Sequence, residues 1–441
     1  MTDGLGLGDA YGATLDRIKG QGGEKSRLGM AVLMWISHAE RPLKANELCH
    51  ALAVEIGSPD LNTDNVPSIG TLLACCQGLV FVDKEASTLR LIHFTLQEYL
   101  RAHPELFGTA HSTMAETCLS FLNSRQVMAI STLSIVFLSD TPFLEYSSLY
   151  WGMHAKRDLS DCAKLLALKL FNEYNNHIST KILLKAQDNL HFNFHYYPGK
   201  ALLFNGLHCA SLFGIDEIVA ELIEVEGCDI NQIDSTGNTP LLWATRNGNQ
   251  GAVEILLGRD GVNPNKPNAH GQTPLCCAAK NGHERVVEIL IGRNDVNPNK
   301  SDVFDQTPLS WAAMHGHERV FKILLGRDDV NPNKSDAFGR TPLYWAALYG
   351  HEGVVKILLG RNDVEPDKPG WCDRTPLCCA ASRGHEEVVK MLLERGDVNP
   401  DRPDEDGDTP LRCATKEGFQ EVVRALLRRS DANPAKRQKL G

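Results

Sequence analysis

The sequence predicts a mainly α-helical protein, in which a small helical module with one β-hairpin precedes a helical linker and a long solenoid of repeated helix pairs. The main observation is the triplet Thr-Pro-Leu, which recurs every 34 residues in the second half of the chain. A second is length, because 441 residues are too many for one hydrophobic core. A third observation is that three helix-like stretches precede two short β-forming runs in the first half of the chain. The six triplets begin at Thr239, Thr273, Thr307, Thr341, Thr375 and Thr409.

Each repeat is predicted to form two helices and a turn. In the unit at 269–302, Thr273 caps the first helix and Pro274 lies in its first turn, where a missing N–H costs nothing. Gly282 ends that helix, and Asn297-Pro298-Asn299 ends the unit, because proline cannot continue a helix. A tetratricopeptide unit would not begin every first helix with Thr-Pro. The residues predicted to point inward are Leu275, Ala278 and Ala279 in the first helix and Val286, Val287, Ile289, Leu290 and Ile291 in the second.

This unit resembles the ankyrin repeat, whose usual pattern is Gly-x-Thr-Pro-Leu-His-x-Ala-Ala-x-x-Gly-His. A degenerate seventh copy lies upstream at 207–210, where Asn205 replaces threonine and the copy is expected to cap the array. The repeats are longer by one residue than the usual length of about 33. We expect that residue to alter the hairpin tips and leave the helical stack intact. All six Thr-Pro-Leu copies lack the family histidine, which we expect to lower the stability of each repeat.

The first half of the chain predicts a winged helix. Three helices, a hairpin and a further helix follow one another in the order of that fold. Asp64 or Asn65 is predicted to cap the third helix, which contains Pro67 near its start. The other predicted elements are helices at Leu28–His38 and Ala45–Ile56, β runs at Leu79–Asp83 and Leu89–His93, and a helix at Thr95–Ala102.

The winged-helix segment is similar to the domain that follows the NTPase in filamentous-fungal NACHT–ankyrin proteins, which is often labelled an inositol-deacylase type. Residues 92–100 carry much of this likeness, and 143–156 resemble the helical linker of the same proteins. The resemblance implies an NTPase with a phosphate-binding loop, but Glu24 precedes Lys25 where that loop needs glycine. We therefore expect a truncated member of the family without its NTPase. In the family a histidine at the position of His93 contacts bound nucleotide, so the resemblance implies a nucleotide-sensing role if an NTPase is supplied; otherwise we expect His93 to satisfy a buried turn.

The predicted domains follow from these patterns. They are a flexible junction at 1–27, a winged helix at 28–110, a helical linker at 111–200, ankyrin repeats at 201–437 (a degenerate cap at 201–234, then 235–268, 269–302, 303–336, 337–370, 371–404 and 405–437) and a basic tail at 438–441.

Composition and motifs argue against several functions. The net charge of −10 is unfavourable for binding nucleic acid, and residues 28–110 carry five cations against nine anions. The candidate recognition helix at 66–77 has no basic residue, so intramolecular packing is favoured over DNA binding. No Gly-x-Ser-x-Gly elbow, zinc-protease motif or complete calcium loop occurs, and no cofactor, metal site or membrane span is predicted. The histidines that begin the second helices, such as His283, are expected to be structural.

The candidate partner-binding residues lie at the hairpin tips and at the exposed ends of the first helices, which the ankyrin resemblance places on the concave side. Large apolar side chains gather there in the middle repeats, with arginines beside them, and such residues dominate interface energetics. The alternative is that the aromatic side chains only pack between adjacent hairpins. The candidates are Phe304, Met314, His315, Phe338, Arg340, Leu348, Tyr349, Trp371 and Arg374.

The leading hypothesis is a non-enzymatic protein-binding scaffold or sensor, whose winged helix and linker relay the signal in a NACHT-type, innate-immunity-like protein. One alternative is a regulatory part of an NTPase switch, acting in cis or in trans with an NTPase domain. A second is a nuclear DNA-binding adaptor. A cytoplasmic location is expected, although the basic segment 436–439 resembles a weak nuclear import signal.

Overall fold

The computed structural model describes residues 6–130, 141–187 and 203–432. In these residues the protein is mainly helical and carries a two-stranded antiparallel sheet. Contacts divide the chain into two compact units, Met1–Ile218 and Val219–Gly441. None of the described helices combines the length and apolar character needed to cross a bilayer. The predicted basic tail at 438–441 and the import-like segment at 436–439 lie outside the described residues.

The first unit contains eleven α-helices and both strands among its described residues. They are α1 (Leu7–Gly20), α2 (Gly23–His38), α3 (Ala45–Leu52), α4 (Ile69–Cys75), β1 (Val80–Asp83), β2 (Thr88–Leu91), α5 (Phe94–Ala102), α6 (Ala110–Leu122), α7 (Arg125–Met128), α8 (Leu144–Arg157), α9 (Asp161–Phe171), α10 (Ile178–Gln187) and α11 (Gly206–Phe213).

The winged-helix order predicted from the sequence is confirmed. The two strands pair from Val80 opposite Leu91 to Asp83 opposite Thr88. The third helix, α4, begins later than predicted, because Ser68 is its N-cap and accepts a hydrogen bond from the Thr71 amide at 3.1 Å. Asp64 lies instead in a short 3-10 turn, since a residue before proline favours an extended backbone and interrupts the helix.

The prediction of a flexible junction at 1–27 is wrong for the described residues. Helix α1 buries Tyr11, Leu15 and Ile18, which lie on one helical face. The Tyr11 hydroxyl is 2.8 Å from the hydroxyl of Thr95, and the Tyr11 ring lies 5.7 Å from that of Tyr99. The segment is therefore a helix packed against α5.

The winged helix and the linker share one core. Trp35 of α2 packs edge-on against Phe143 at 5.6 Å and against Tyr146 at 5.9 Å. Helix α2 also contacts α6, which packs against α8. Residue 110 is thus a sequence boundary within one packed unit.

The first repeat helix, α11, packs within the first unit. It contacts α8 and α9, where Gly152 faces Phe213 and Gly206 faces Phe171. A Cβ on either glycine would lie under 3 Å from the phenyl ring, so glycine is required for this approach. The contact boundary therefore falls between residues 218 and 219, later than the predicted start of the array at 201.

The second unit is a stack of helix pairs, preceded by α12 (Asp216–Leu222), which spans the division. First helices contact first helices of the next repeat, and second helices contact second helices. The pairs are α13 (Pro240–Arg246) with α14 (Gln250–Leu257), α15 (Pro274–Asn281) with α16 (Glu284–Ile291), α17 (Pro308–His315) with α18 (Glu318–Leu325), α19 (Pro342–Tyr349) with α20 (Glu352–Leu359), α21 (Pro376–Arg383) with α22 (Glu386–Glu394), and α23 (Pro410–Glu417) with α24 (Gln420–Ala432).

The threonine caps predicted from the triplets are present. The Thr273 hydroxyl accepts a hydrogen bond from the Cys276 amide at 3.2 Å, and the other five threonines make the equivalent bond. Asn205 caps α11 in the same way, accepting from the His208 amide at 3.1 Å.

Burial follows the predicted pattern, with two corrections. All residues from Pro274 to Ala279 are buried, so the first helix has no exposed face over this stretch, because it lies between its two neighbours and its own second helix. In the second helix, Val286, Val287 and Leu290 are buried. Ile289 and Ile291 are only half-buried, because they lie at the edge of the packed stripe.

Histidines join successive repeats, as the structural interpretation of these residues predicted. The Nε2–H of His283 donates to the carbonyl of Arg246 at 2.9 Å, across 37 residues. His317, His351 and His385 make the same bond to the preceding repeat.

A second set of bonds joins the loops that follow the second helices. The Oδ1 of Asn265 accepts from the Asn297 amide at 2.8 Å, and its Nδ2 donates to the Asp295 carbonyl at 2.5 Å. Equivalent side chains recur in successive repeats, and we call them the loop ladder. Its members are Asn231, Asn265, Asn299, Asn333 and Asp367.

Candidate protein-binding surface

The nine predicted binding residues are called the tip surface here. The hairpin that carries Phe338 begins with buried Asp336, whose Oδ1 accepts from the backbone N–H of Phe338 at 2.9 Å and from that of Arg340 at 3.0 Å. The preceding hairpin is built in the same way on Asp302. Adjacent hairpins are joined by a backbone bond from Ala337 to the Phe304 carbonyl at 2.9 Å. These two tips are therefore held by hydrogen bonds within each hairpin and between the adjacent hairpins, whereas the hairpin of Trp371 has Gly370 in place of the aspartate.

Most of the aromatic members are solvent-exposed. Phe304 is 51% exposed, Tyr349 50% and Trp371 53%, and Phe338 is 38% exposed. His315 is also exposed. Met314 and Leu348 are half-buried, so each presents only part of its side chain. Exposed aromatic side chains gathered on one surface are typical of an interaction site.

Three of the other predicted residues are connected to Arg340, either directly or through a neighbouring ring. Its guanidinium lies 4.5 Å from the Phe338 ring centre and 4.1 Å from that of Trp345. Phe338 contacts Trp371 at 5.1 Å, and Trp345 stacks in parallel on Tyr349 at 5.9 Å. We call Phe338, Arg340, Trp345, Tyr349 and Trp371 the Arg340 cluster.

The alternative of simple hairpin packing describes part of this cluster. Phe338 and Trp371 belong to adjacent hairpins and pack against each other, yet 38% and 53% of their areas remain open to solvent. The contact thus holds both rings in place while leaving a large apolar area uncovered.

The remaining predicted residues do not join the cluster through the described contacts. His315 lies against Trp311 at 5.6 Å, one repeat earlier. Arg374 pairs with the buried carboxylate of Asp404, with Nε 3.1 Å from Oδ2. Phe304 makes no ring contact among the described residues. The tip surface therefore has one connected group, with further side chains in the neighbouring repeats.

Sequence reasoning missed the tryptophans of the first helices. The Nε1–H of Trp243 donates to Asp234 at 2.7 Å, and that of Trp311 donates to Asp302 at 3.1 Å. A cation lies over each ring: Arg246 over Trp243 at 5.4 Å and Lys280 over Trp311 at 4.4 Å. The signal that would have found them is tryptophan at one repeat position, at 243, 311 and 345.

The repeat that contains Trp345 departs from this arrangement. The Nε of Arg340 donates to the Asp336 Oδ2 at 2.8 Å. In the other two repeats, the tryptophan donates to the equivalent aspartate oxygen. Trp345 is 5% exposed, and its Nε1 has no hydrogen-bond partner within the described part of the chain. The aspartate oxygen is therefore an acceptor in all three repeats, but its donor is an arginine here and a tryptophan in the other two.

Burial shifts the pKa values of several titratable groups near this surface. Burial lowers the pKa of Lys280 and raises that of Asp302. Burial also raises the pKa of the Cys277 and Cys379 thiols to about 12, so neither is a reactive thiolate at neutral pH. Across the described residues, no group of three or more His, Cys, Asp or Glu side chains has the arrangement of a metal site.

His93 lies at an exposed corner of the winged helix. It is the N-cap of α5, and its Nδ1 accepts from the Thr95 amide at 3.3 Å. The alternative expectation of a histidine satisfying a buried turn is wrong, because the side chain is exposed. Its neighbours Ile92 and Phe94 are 46% and 66% exposed, so the corner is apolar and uncovered by the described chain.

Comparison with protein families agrees with this architecture. Three copies of the ankyrin-repeats model match residues 207–302, 294–370 and 361–438, which together make more than half of the chain. The chain belongs to the ankyrin-repeat family. In this ankyrin-repeat protein, residues 17–111 also match the family described as GPI inositol-deacylase, winged helix domain.

Among solved structures, the ankyrin-repeat protein is similar to the crystal structure of human ASB11 ankyrin repeat domain. The two are 29% identical, with 51% of this chain and 96% of that chain covered and a TM-score of 0.45. No curated protein matches the chain.

Proposed function

We propose that this ankyrin-repeat protein is a non-catalytic scaffold or sensor that binds a protein partner through the tip surface. The observation that carries the proposal is the Arg340 cluster, where Phe338, Tyr349 and Trp371 are 38% to 53% exposed and yet held by neighbouring side chains. Rigid aromatic and arginine side chains lose little entropy on binding and contribute most of the energy of many interfaces. In this proposal the protein is cytoplasmic.

The winged helix and linker act as a relay in this proposal, as in a NACHT-type signalling protein. Trp35 of the winged helix packs on Phe143 and Tyr146 of the linker, so a displacement of either part changes the core of the other. Such shared packing is a physical route for coupling.

DNA binding is disfavoured, because two of the five cations in residues 28–110 are already paired with carboxylates. Arg41 makes a bidentate pair with buried Glu47, at 2.8 Å for each bond, and Arg90 pairs with Asp83 at 3.2 Å. Arginines held in this way are less available to phosphates.

The test compares the aromatic side chains with a matched residue on the outer helix. The full chain is used as bait, a captured partner is purified, and binding of Phe338→Ala, Tyr349→Ala and Trp371→Ala is measured by calorimetry. At least one variant is expected to lose about 2 kcal/mol of binding or more. Lys322→Ala is the control, because Lys322 is exposed on α18 and pairs only with Glu318 on the same helix among the described residues. If all three aromatic variants bind like the control, with folding retained, the tip surface is not the site.

A second candidate is a regulatory part of an NTPase switch, with His93 facing the nucleotide-binding domain. The exposed apolar corner formed by Ile92, His93 and Phe94 favours this candidate, because it is open to another domain. In a complex with a supplied NTPase domain of this protein class, His93→Ala is expected to speed release of bound nucleoside diphosphate. Unchanged nucleotide retention, with the complex intact, would remove this candidate.

A further inference from the structure

We propose that Arg340 is a preformed carboxylate-binding side chain, and that the partner presents an extended acidic segment to it. An Asp or Glu side chain of the partner pairs with the terminal nitrogens of Arg340, and apolar neighbours of that residue lie on Phe338, Tyr349 and Trp371. This inference rests on the proposed function and adds the chemistry of the partner.

The side chain of Arg340 is held in place from several directions. Its Nε donates to buried Asp336 at 2.8 Å, and its guanidinium lies over the Phe338 ring at 4.5 Å and over the Trp345 ring at 4.1 Å. Its stem packs on Gly370, where an added Cβ would lie 3.0 Å from the Arg340 Cγ. An arginine fixed in this way loses little freedom when it binds a ligand.

The terminal nitrogens of Arg340 are not among the fully buried polar atoms that lack a hydrogen-bond partner. The hydrogen bonds that Arg340 makes within the described chain come from its backbone N–H and its Nε, so neither terminal nitrogen is committed. The side chain keeps 19% of its area exposed. Two terminal nitrogens match the two oxygens of a carboxylate, and such paired, charge-assisted bonds are among the stronger ones in proteins.

Because Arg340 bonds to Asp336, Trp345 lacks the hydrogen-bond acceptor that Trp311 has in the preceding repeat. In the preceding repeat the Asp302 Oδ2 accepts from Trp311, and Gln306 occupies the position of Arg340. With arginine there, the corresponding oxygen is taken and the buried Nε1 of Trp345 is left without a partner in the described chain. An unpaired buried donor is unfavourable for stability, so the placement of Arg340 is not explained by stability alone.

The local charge favours a carboxylate over a phosphate. Asp336 compensates Arg340, and Asp404 compensates Arg374 in the next repeat, so neither arginine contributes a whole uncompensated positive charge. A phosphate dianion would require more cations than these pairs supply, whereas a single carboxylate needs only one fork. The exposed apolar rings beside Arg340 suit the flanking residues of a peptide.

The experiment first selects peptides that bind the chain. It then removes one charge from the peptide and one from the protein, at Arg340. A phage-displayed library of random peptides is panned against the full chain, and a selected peptide is titrated by fluorescence anisotropy. The selected peptides are expected to carry an acidic residue beside aromatic or aliphatic ones. Replacing that residue by its amide is expected to weaken binding to the wild-type chain about tenfold or more. On Arg340→Gln the acidic and amide peptides are expected to bind within about twofold of each other.

Two further variants keep the result interpretable if Arg340→Gln folds poorly. Arg340→Lys keeps the charge but lacks the fork, and is expected to lose most of the preference for the acidic peptide. Lys322→Ala, on the outer helix α18 and outside the tip surface, is the control and is expected to retain both binding and the preference.

Three outcomes would overturn the inference. If the amide peptide binds as tightly as the acidic one, while Tyr349→Ala and Trp371→Ala still lose binding, the carboxylate site is wrong and the tip surface stands. A phosphoserine peptide that binds more tightly than its glutamate version would overturn the choice of a single carboxylate. Selection of no peptide by the wild-type chain, together with equal partner binding by the aromatic variants, would overturn both proposals.

Discussion

The two units of the protein arrange their buried polar groups in opposite ways. In the array, the bonds that join successive repeats recur, as in the histidine that reaches the carbonyl of the preceding repeat. In the first unit, buried His154 belongs to a network that occurs once. His111 contacts His154 at 2.9 Å through their Nδ1 atoms, and the Nε2 of His154 lies 2.9 Å from the Tyr146 hydroxyl. That hydroxyl accepts from the Glu40 amide at 3.1 Å.

This difference teaches where each unit is sensitive. A repeated bond can be lost once while its copies keep the neighbouring joints intact, so damage stays local. A network made once has no copy, and each member depends on the protonation state of the others. Variants that act on one unit and spare the other therefore test the comparison.

The largest effect is expected from a charge placed inside the stack. Leu309 is 1% exposed in a central repeat, and Leu309→Asp would bury an unpaired carboxylate between neighbours. We expect a loss of about 4 kcal/mol or more in the free energy of unfolding of the array, measured by urea titration. Leu411→Asp is the control, because Leu411 lies in the last described repeat and is only half-buried. Equal losses in the two variants would contradict a one-dimensional array.

The next effect is a pH dependence of the first unit. Burial lowers the pKa of His154 to about 3 and that of His111 to about 4, with help from the positive charge of Arg157. Because each folded imidazole binds its proton less tightly than the unfolded one, stability is present above the ordinary pKa of about 6.5 and falls as the pH drops below it. One such group contributes a slope of up to about 1.4 kcal/mol per pH unit.

Hydrogen exchange at pH 7, 6 and 5, corrected for its intrinsic rate, separates the peptides of α8 from those of the array. Protection of α8 is expected to fall towards pH 5, and His154→Gln should flatten this dependence. The control is His270→Gln, on an exposed hairpin tip of the array. A wild-type α8 whose protection does not change with pH would be inconsistent with neutral buried histidines.

The smallest expected effect is a gain in the stability of the array, opposite in sign to the loss expected for Leu309→Asp. In the loop ladder, Asn333 accepts from the Glu365 amide at 2.9 Å and donates to the Asp363 carbonyl at 2.5 Å. Asp367 accepts from the Asn399 amide at 3.0 Å, but its other oxygen is buried without a partner in the described chain. Asp367→Asn is expected to restore the second bond and stabilise the array by about 1 kcal/mol.

The matched control for the ladder is Asn333→Asp, which should destabilise the array by a similar amount in urea unfolding at pH 7. Burial raises the pKa of Asp367, so its penalty is present at neutral pH and disappears as the carboxylate is protonated in acid. The gain of Asp367→Asn should therefore shrink at low pH. An unchanged or lower stability at pH 7 would show that the unpaired oxygen costs nothing.

The repeated part of the fold could be read from the sequence because each signal occurs several times at a fixed interval. The threonine caps and the helix bounds follow from Thr-Pro and glycine spacing alone. Helix α1 was missed because its stripe of Tyr11, Leu15 and Ile18 occurs once, next to a glycine-rich end. Exposure of the tip aromatics was foreseen, since the repeat core does not need them. The role of Trp345 was not foreseen. Arg340 replaces the tryptophan as donor to the aspartate only because Arg340 and Asp336 lie close together in the folded repeat.

The bonds between repeats have a consequence for how the array can change in length. Each one spans a fixed sequence offset, 37 residues back for His317 and 30 residues forward for Asn265. A tandem duplication of 303–336 would therefore supply every new junction with its own donors and acceptors and leave none orphaned. Unequal recombination can add or delete whole units without a folding defect at the seam. The row of tips would lengthen with each unit, so the chain is free to vary what it recognises while its scaffold stays the same.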